Sequence, residues 1–167
     1  MLEKIYNPIP QNGLFQPLLT LDKFVAEYPI NINPYFQRDI VWSDQQQSLL
    51  VGSILEGNVV PPCYININPK DRFDVVLVDG KQRVNACLRF LKNEISAKTS
   101  QGINIIFSDL NKIDVSLCRS VIGLKFVDLN LSTKDMLEFY IRLNSFGIAH
   151  NREDILKVQL LLKDNNV

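Results

Sequence analysis

The run Val75-Val76-Leu77-Val78 passes without a spacer into Asp79-Gly80, and from Lys81 onward the apolar period changes to that of a helix. Val84, Cys87, Leu88 and Leu91 fall at i, i+3, i+4 and i+7, one face of a helix ending near Lys92-Asn93. Consecutive apolar residues at 75 to 78 fit a strand covered on both faces. Such a junction needs a sheet with helices packed on it. It also sets the first amides of a helix, unpaired and at the positive end of its dipole, at the end of a buried strand.

Lys81 and Arg83 lie in that first turn. Cations there are locally unfavourable by about 0.3–1 kcal/mol each, a mismatch that a bound anion relieves. Gly80 permits a positive φ or close backbone approach, and Asp79 can cap the helix or hold a metal. A plain Asp-Gly turn with two solvated bases satisfies the same pattern.

The remaining chain reads as one α+β domain. Its 167 residues are 46% hydrophobic, enough for a single core. Most prolines fall in the first third, which predicts short elements and loops there. A helix is expected from Leu21 to Tyr28, capped by Thr20, ended by Pro29 and burying Leu21, Phe24, Val25 and Tyr28. Ile30 to Ile32 reads as extended. Ser43-Asp44-Gln45-Gln46 is a capping box opening a helix that buries Leu50, Val51, Ile54 and Leu55 and stops near Gly57-Asn58.

Strands are predicted at Cys63 to Ile67 and Phe73 to Val78, joined by a turn at Asn68 to Asp71. A hairpin turning at Ser100-Gln101-Gly102 and a strand from Val121 to Val127 follow. Ser132, with Asp135 three residues on, opens a helix that buries Met136, Leu137, Tyr140 and Leu143 and breaks at Gly147. A last helix from Asn151 buries Ile155, Val158, the stem of Gln159 and Leu162. Residues 1–20 read as an N-terminal extension and 21–167 as the domain.

Composition removes several function classes. Lys plus Arg and Asp plus Glu number 18 each, so no global field favours nucleic acid or a membrane surface, and any anion site must be local. Only one histidine, His150, is present. A nuclease centre with two histidines and an H-E-x-x-H helix are therefore excluded, and without a C-x-x-C pair the chain has no Cys/His zinc pattern. Cys63, Cys87 and Cys118 are widely spaced and read as reduced thiols packed as small hydrophobes. No signal segment or apolar span is apparent, and a cytoplasmic location is expected.

Two further segments bear on the Asp79–Arg83 junction. Arg38 lies among Tyr35, Phe36 and Trp42, where its planar fork suits phosphate, although it equally fits an arginine lying over aromatic rings. Asn144 precedes Gly147 at a helix end, as a ligand-framing amide or as simple C-terminal punctuation.

In order along the chain, P-Y-F-Q-R-D-I-V-W (Pro34 to Trp42), V-D-G-K-Q-R-V-N-A (Val78 to Ala86) and R-L-N-S-F-G (Arg142 to Gly147) resemble the ParB/sulfiredoxin-like superfamily. The closest likeness is to the D-G-Q-Q-R family of GmrSD-type N-terminal domains, over roughly Leu21 to Leu161. The resemblance implies a ParB-like mixed sheet with packed helices, and nucleoside-triphosphate binding and hydrolysis that license an effector nuclease. It gives Asp79, Gln82 and Arg83 catalytic places, and gives Gln37, Arg38, Gly80, Lys81 and Asn144 places in phosphate or nucleotide binding. Asp79 is also the candidate ligand for magnesium.

Lys81 stands where the family usually has glutamine. A lysine contacts phosphate as a point charge but accepts no hydrogen bond, so binding is expected more firmly than hydrolysis. Related restriction enzymes add an H-N-H nuclease domain, and this chain is not expected to cleave DNA alone. The expected partner is a nucleotide, with DNA reached through an effector protein. The alternatives are a non-catalytic DNA- or protein-binding module and a ParB-like phosphotransferase.

Overall fold

In a computed structural model, the structure describes residues 12–28, 30–68, 71–145, 156 and 158–160. Its centre is a mixed five-stranded sheet ordered β1-β7-β3-β4-β2. These strands are β1 (Asn12–Pro17), β2 (Ile30–Asn31), β3 (Cys63–Asn68), β4 (Asp71–Asp79) and β7 (Gly123–Asp128). β3 runs antiparallel to β4 and parallel to β7, while β2 runs parallel to β4 and β1 antiparallel to β7. The short β5 (Ala97–Lys98) and β6 (Asn104–Ile105) form the expected hairpin, with Gly102 at φ +80° in its turn.

Alternation along the strands divides the core in two. Cys63, Ile65, Val75, Leu77, Leu124 and Phe126 pack with residues of α1 (Leu21–Glu27), α2 (Asp44–Leu55) and α3 (Lys81–Leu91). Val78 instead joins Phe36, Leu129 and three residues of α5 (Thr133–Ser145), namely Met136, Leu137 and Tyr140, with Val158 beside them. β4 is thus covered on both faces, as its apolar run predicts. Fully burying each such side chain contributes about 1.5–3 kcal/mol.

The Ser43 capping box is complete: Gln46 N–H donates to Ser43 Oγ, and Gln46 Oε1 accepts from Ser43 N–H. Ser132 Oγ likewise accepts from Asp135 N–H at the head of α5. At Thr20 the expected cap is absent. A short 3-10 turn at Leu18–Thr20 precedes α1, and Thr20 Oγ1 accepts from Gln16 Nε2 at 2.7 Å instead.

Other burial assignments shift by a fraction of a turn. Val51 and Ile54 are buried on α2 while Leu50 and Leu55 are half-buried, and Gln47 and Gly52 lie inside. On α3 the buried set is Val84, Ala86, Cys87 and Phe90, with Leu88 and Leu91 at its margin. Tyr28 and Gln159 are exposed, although Tyr28 keeps ring contact with Phe24.

Two elements have no counterpart in the sequence reading. β1 adds to the sheet beside β7, and α4 (Lys112–Ser120) occupies the approach to β7, with Asn111 Oδ1 accepting from Ile113 and Asp114 N–H. The strand expected from Val121 begins at Gly123 because Val121 and Ile122 N–H both donate back to Leu117 O. The expected roles of Pro29, the Asn68–Asp71 turn as a whole, Gly147, His150, the Asn151 cap, Ile155 and Leu162 lie outside the described residues.

Candidate functional site

Where β4 passes into α3, Gly80 adopts φ +106° and ψ 6°. A Cβ there would lie 2.5 Å from Cys63 Sγ and 2.9 Å from Cys63 Cβ, so both the backbone conformation and the first residue of β3 demand glycine. Gly80 is the N-cap of α3 and offers no side chain to the first-turn amides. They are left for another acceptor.

The residues predicted from sequence converge on this end of α3. Gln37, Arg38, Asp79, Gly80, Lys81, Gln82, Arg83 and Asn144 all line one cleft of about 160 Å³, together with Trp42 and Tyr140. Their side chains do different work within it.

Arg83 turns inward. Its Nη2 donates to Asp79 Oδ2 at 2.6 Å and to Pro62 O at 3.1 Å, and only 14% of its side chain is exposed. Its Nε is buried without a hydrogen-bond partner among the described residues. Burial opposes the Arg83 charge, but Asp79, with help from Cys63, outweighs it and holds the guanidinium pKa up. The expected cationic mismatch at the helix start is therefore partly neutralised inside the protein by the Arg83–Asp79 pair.

Gln82 is committed to backbone. Its Oε1 accepts from Val41 and Trp42 N–H at 3.2 Å each, and its Nε2 donates to Asp39 O at 3.0 Å. Gln37 Nε2 donates to the carbonyls of Leu77 and Val78, the latter at 2.7 Å. From the other side, Gln47 Nε2 donates to Trp42 O at 2.9 Å, while Gln47 Oε1 accepts from Asn85 and Arg89. The 37–42 segment is thus fastened to β4, α2 and α3 through side-chain amides. These contacts fix where Arg38 and Trp42 sit.

Lys81 and Arg38 differ from these. Lys81 Nζ donates to Arg38 O at 2.9 Å, leaving further ammonium donors, and the Arg38 guanidinium makes no hydrogen bond or ion pair with the described residues. Asn144 is buried, and its Nδ2 donates to Tyr140 O at 2.7 Å one turn back. Asn66 sets the approach to α5, because its side chain accepts from Leu131 N–H and donates to Leu131 O.

Asp79 is the one carboxylate on the cleft and is already paired with Arg83. Among the described residues no group of three or more His, Cys, Asp or Glu side chains converges.

A family model described as the GmrSD restriction endonuclease, N-terminal domain, matches residues 21–161. The chain belongs to this family. Neither the comparison with curated proteins nor that with solved structures returned a match. The assignment makes this GmrSD N-terminal domain a restriction-system module, and among its described residues no helix is long and apolar enough to cross a membrane.

Sequence reasoning about the GmrSD N-terminal domain missed the place of Tyr140 and Gln47 in its site. Tyr140 reads as core and is core, yet it also borders the cleft; its spacing of four from Asn144 was the available signal. Gln47 carried none, being a polar residue within a capped helix. The cysteines of the domain are free and buried as expected, and burial pushes Cys63 up to about 11 against the opposing influence of Arg83.

Proposed function

We propose that the domain binds a nucleoside triphosphate, with its phosphates at the first turn of α3, as the nucleotide-responsive module of a restriction-type system. The observation that carries this reading is the side-chain-free cap at Gly80 facing two cations with donors to offer, Lys81 and Arg38. Oriented amides, a helix dipole and cations with unused N–H donors are what an anionic phosphate chain requires. Several charge-assisted contacts of about 1.5–3 kcal/mol each, reduced by ordering, support micromolar affinity, near −8 kcal/mol.

Binding is favoured over hydrolysis. Asp79 Oδ2 is paired with Arg83 and both ends of the Gln82 amide hold the 37–42 segment, which reduces their capacity to orient water. Arg83 and Gln37 act by supporting the cleft, and Asn144 borders it. Magnesium, where it accompanies the nucleotide, is held by the phosphates rather than by a protein cage.

Isothermal titration with a panel of nucleoside triphosphates tests the reading. Micromolar binding that weakens at least tenfold in Arg38→Ala and in Lys81→Ala is expected. No heat with any nucleotide would exclude it.

A further inference from the structure

Beside the phosphate cleft lies a second, larger cavity of about 450 Å³, bordered by Asn33, Pro34, Tyr35, Phe36 and Asp39. It shares Gln37, Arg38 and Lys81 with the first, so the two meet across the cationic pair. The first cavity alone is smaller than the roughly 300–1,000 Å³ of a small-molecule site, and the two together fall within that range. A triphosphate tail fits the first by charge; the remainder of a nucleotide needs somewhere to go.

Tyr35 supplies an aromatic surface there. The residue is 58% exposed, yet its ring is held edge-on against buried Phe36 at 5.5 Å, and Phe36 in turn meets Tyr140 at 5.2 Å. An exposed ring with a rigid support loses little freedom when a flat ligand stacks on it. Asn33 and Asp39, both exposed, bring hydrogen-bonding groups to the same cavity. The Asp39 backbone is anchored through its carbonyl to Gln82, which links this cavity to the start of α3.

From this we infer that the cavity bordered by Tyr35 and Asp39 is the nucleoside subsite, with the base stacked on the Tyr35 ring and the sugar beside Asp39. The inference rests on the phosphate reading above and extends it to residues outside the phosphate cleft. Base stacking on an aromatic side chain is sequence-tolerant and contributes enough for about a tenfold gain in affinity.

The test compares inorganic tripolyphosphate with nucleoside triphosphates in titrations of the wild type, Tyr35→Ala, Tyr35→Phe and Trp42→Ala. Nucleoside triphosphates should bind the wild type and Tyr35→Phe about tenfold more tightly than tripolyphosphate. Tyr35→Ala should abolish that advantage while leaving tripolyphosphate affinity unchanged, a surface substitution that spares the fold. An advantage that survives Tyr35→Ala, or is lost in Trp42→Ala instead, overturns the subsite. Failure of both tripolyphosphate and nucleotides to bind overturns the phosphate reading itself.

Discussion

The guanidinium of Arg83 donates to the carboxylate of Asp79 at 2.6 Å, four residues back across the junction of β4 and α3. That pair turns one of the two first-turn cations into a structural element. Among the described residues it leaves Lys81 and the neighbouring Arg38 as the cations of the cleft outside an ion pair. Asp79→Asn should therefore destabilise the fold by about 1.5–3 kcal/mol, since it weakens a charged hydrogen bond to a largely buried arginine. Urea unfolding at neutral pH measures it, and an unchanged midpoint would contradict the pair's structural role.

Gly80→Ala should lower stability by about 2–4 kcal/mol. The left-handed φ of +106° costs about 1–2 kcal/mol for an L side chain, and the new Cβ would overlap Cys63 Sγ. Adding Cys63→Ala should restore only the part of the packing loss owed to Sγ, because the residue-63 Cβ, 2.9 Å from the new methyl, remains. Full recovery in the double variant would show that the backbone conformation carries no strain.

Gly52→Ala runs against helix propensity. In an open helix interior the change gains about 1 kcal/mol, but a Cβ on Gly52 would lie 1.9 Å from the Lys98 carbonyl oxygen. Sterics decide the sign, because the obstacle is backbone of β5. Thermal unfolding should show a loss, and a raised midpoint would mean that the hairpin yields.

Gln82→Ala should loosen the 37–42 segment while leaving the fold intact. Trp42 is the chain's single tryptophan and therefore reports on it. Its fluorescence should become more accessible to acrylamide with the far-ultraviolet circular dichroism unchanged, and quenching equal to wild type would count against the clamp.

The thiols predict an alkaline loss of stability. Burial, opposed by Arg83, raises Cys63 to about 11 from 9.0, so the folded chain keeps a proton that the unfolded chain releases. This contribution is complete below pH 9 and is lost as pH rises through about 11. Cys63→Ala should flatten the fall in urea midpoint between pH 8.5 and 10.5; an identical fall would assign it to other groups, such as Cys87, whose burial also pushes it upward.

What could be read from the sequence follows from where the physics is local. The β4–Gly80–α3 junction, the Ser43 box and the Ser132 cap depend on neighbours in sequence, and each is present as expected. β1 was not legible, because Asn12–Pro17 lacks clear alternation and gains its place only by pairing with β7, more than a hundred residues away. α4 exposes Ile113 and Leu117, so its pattern does not mark a buried face. At the site, the residue types were legible but their division of labour was not. Whether Gln82 meets a ligand or the Trp42 backbone is set by a contact forty positions apart.

The most direct test of the central claim is a crystal of the domain grown with a nucleoside triphosphate. Phosphate density at the first-turn amides of α3, contacted by Lys81 and Arg38, is the predicted result. A nucleotide seated elsewhere, with that turn left to solvent, would contradict it.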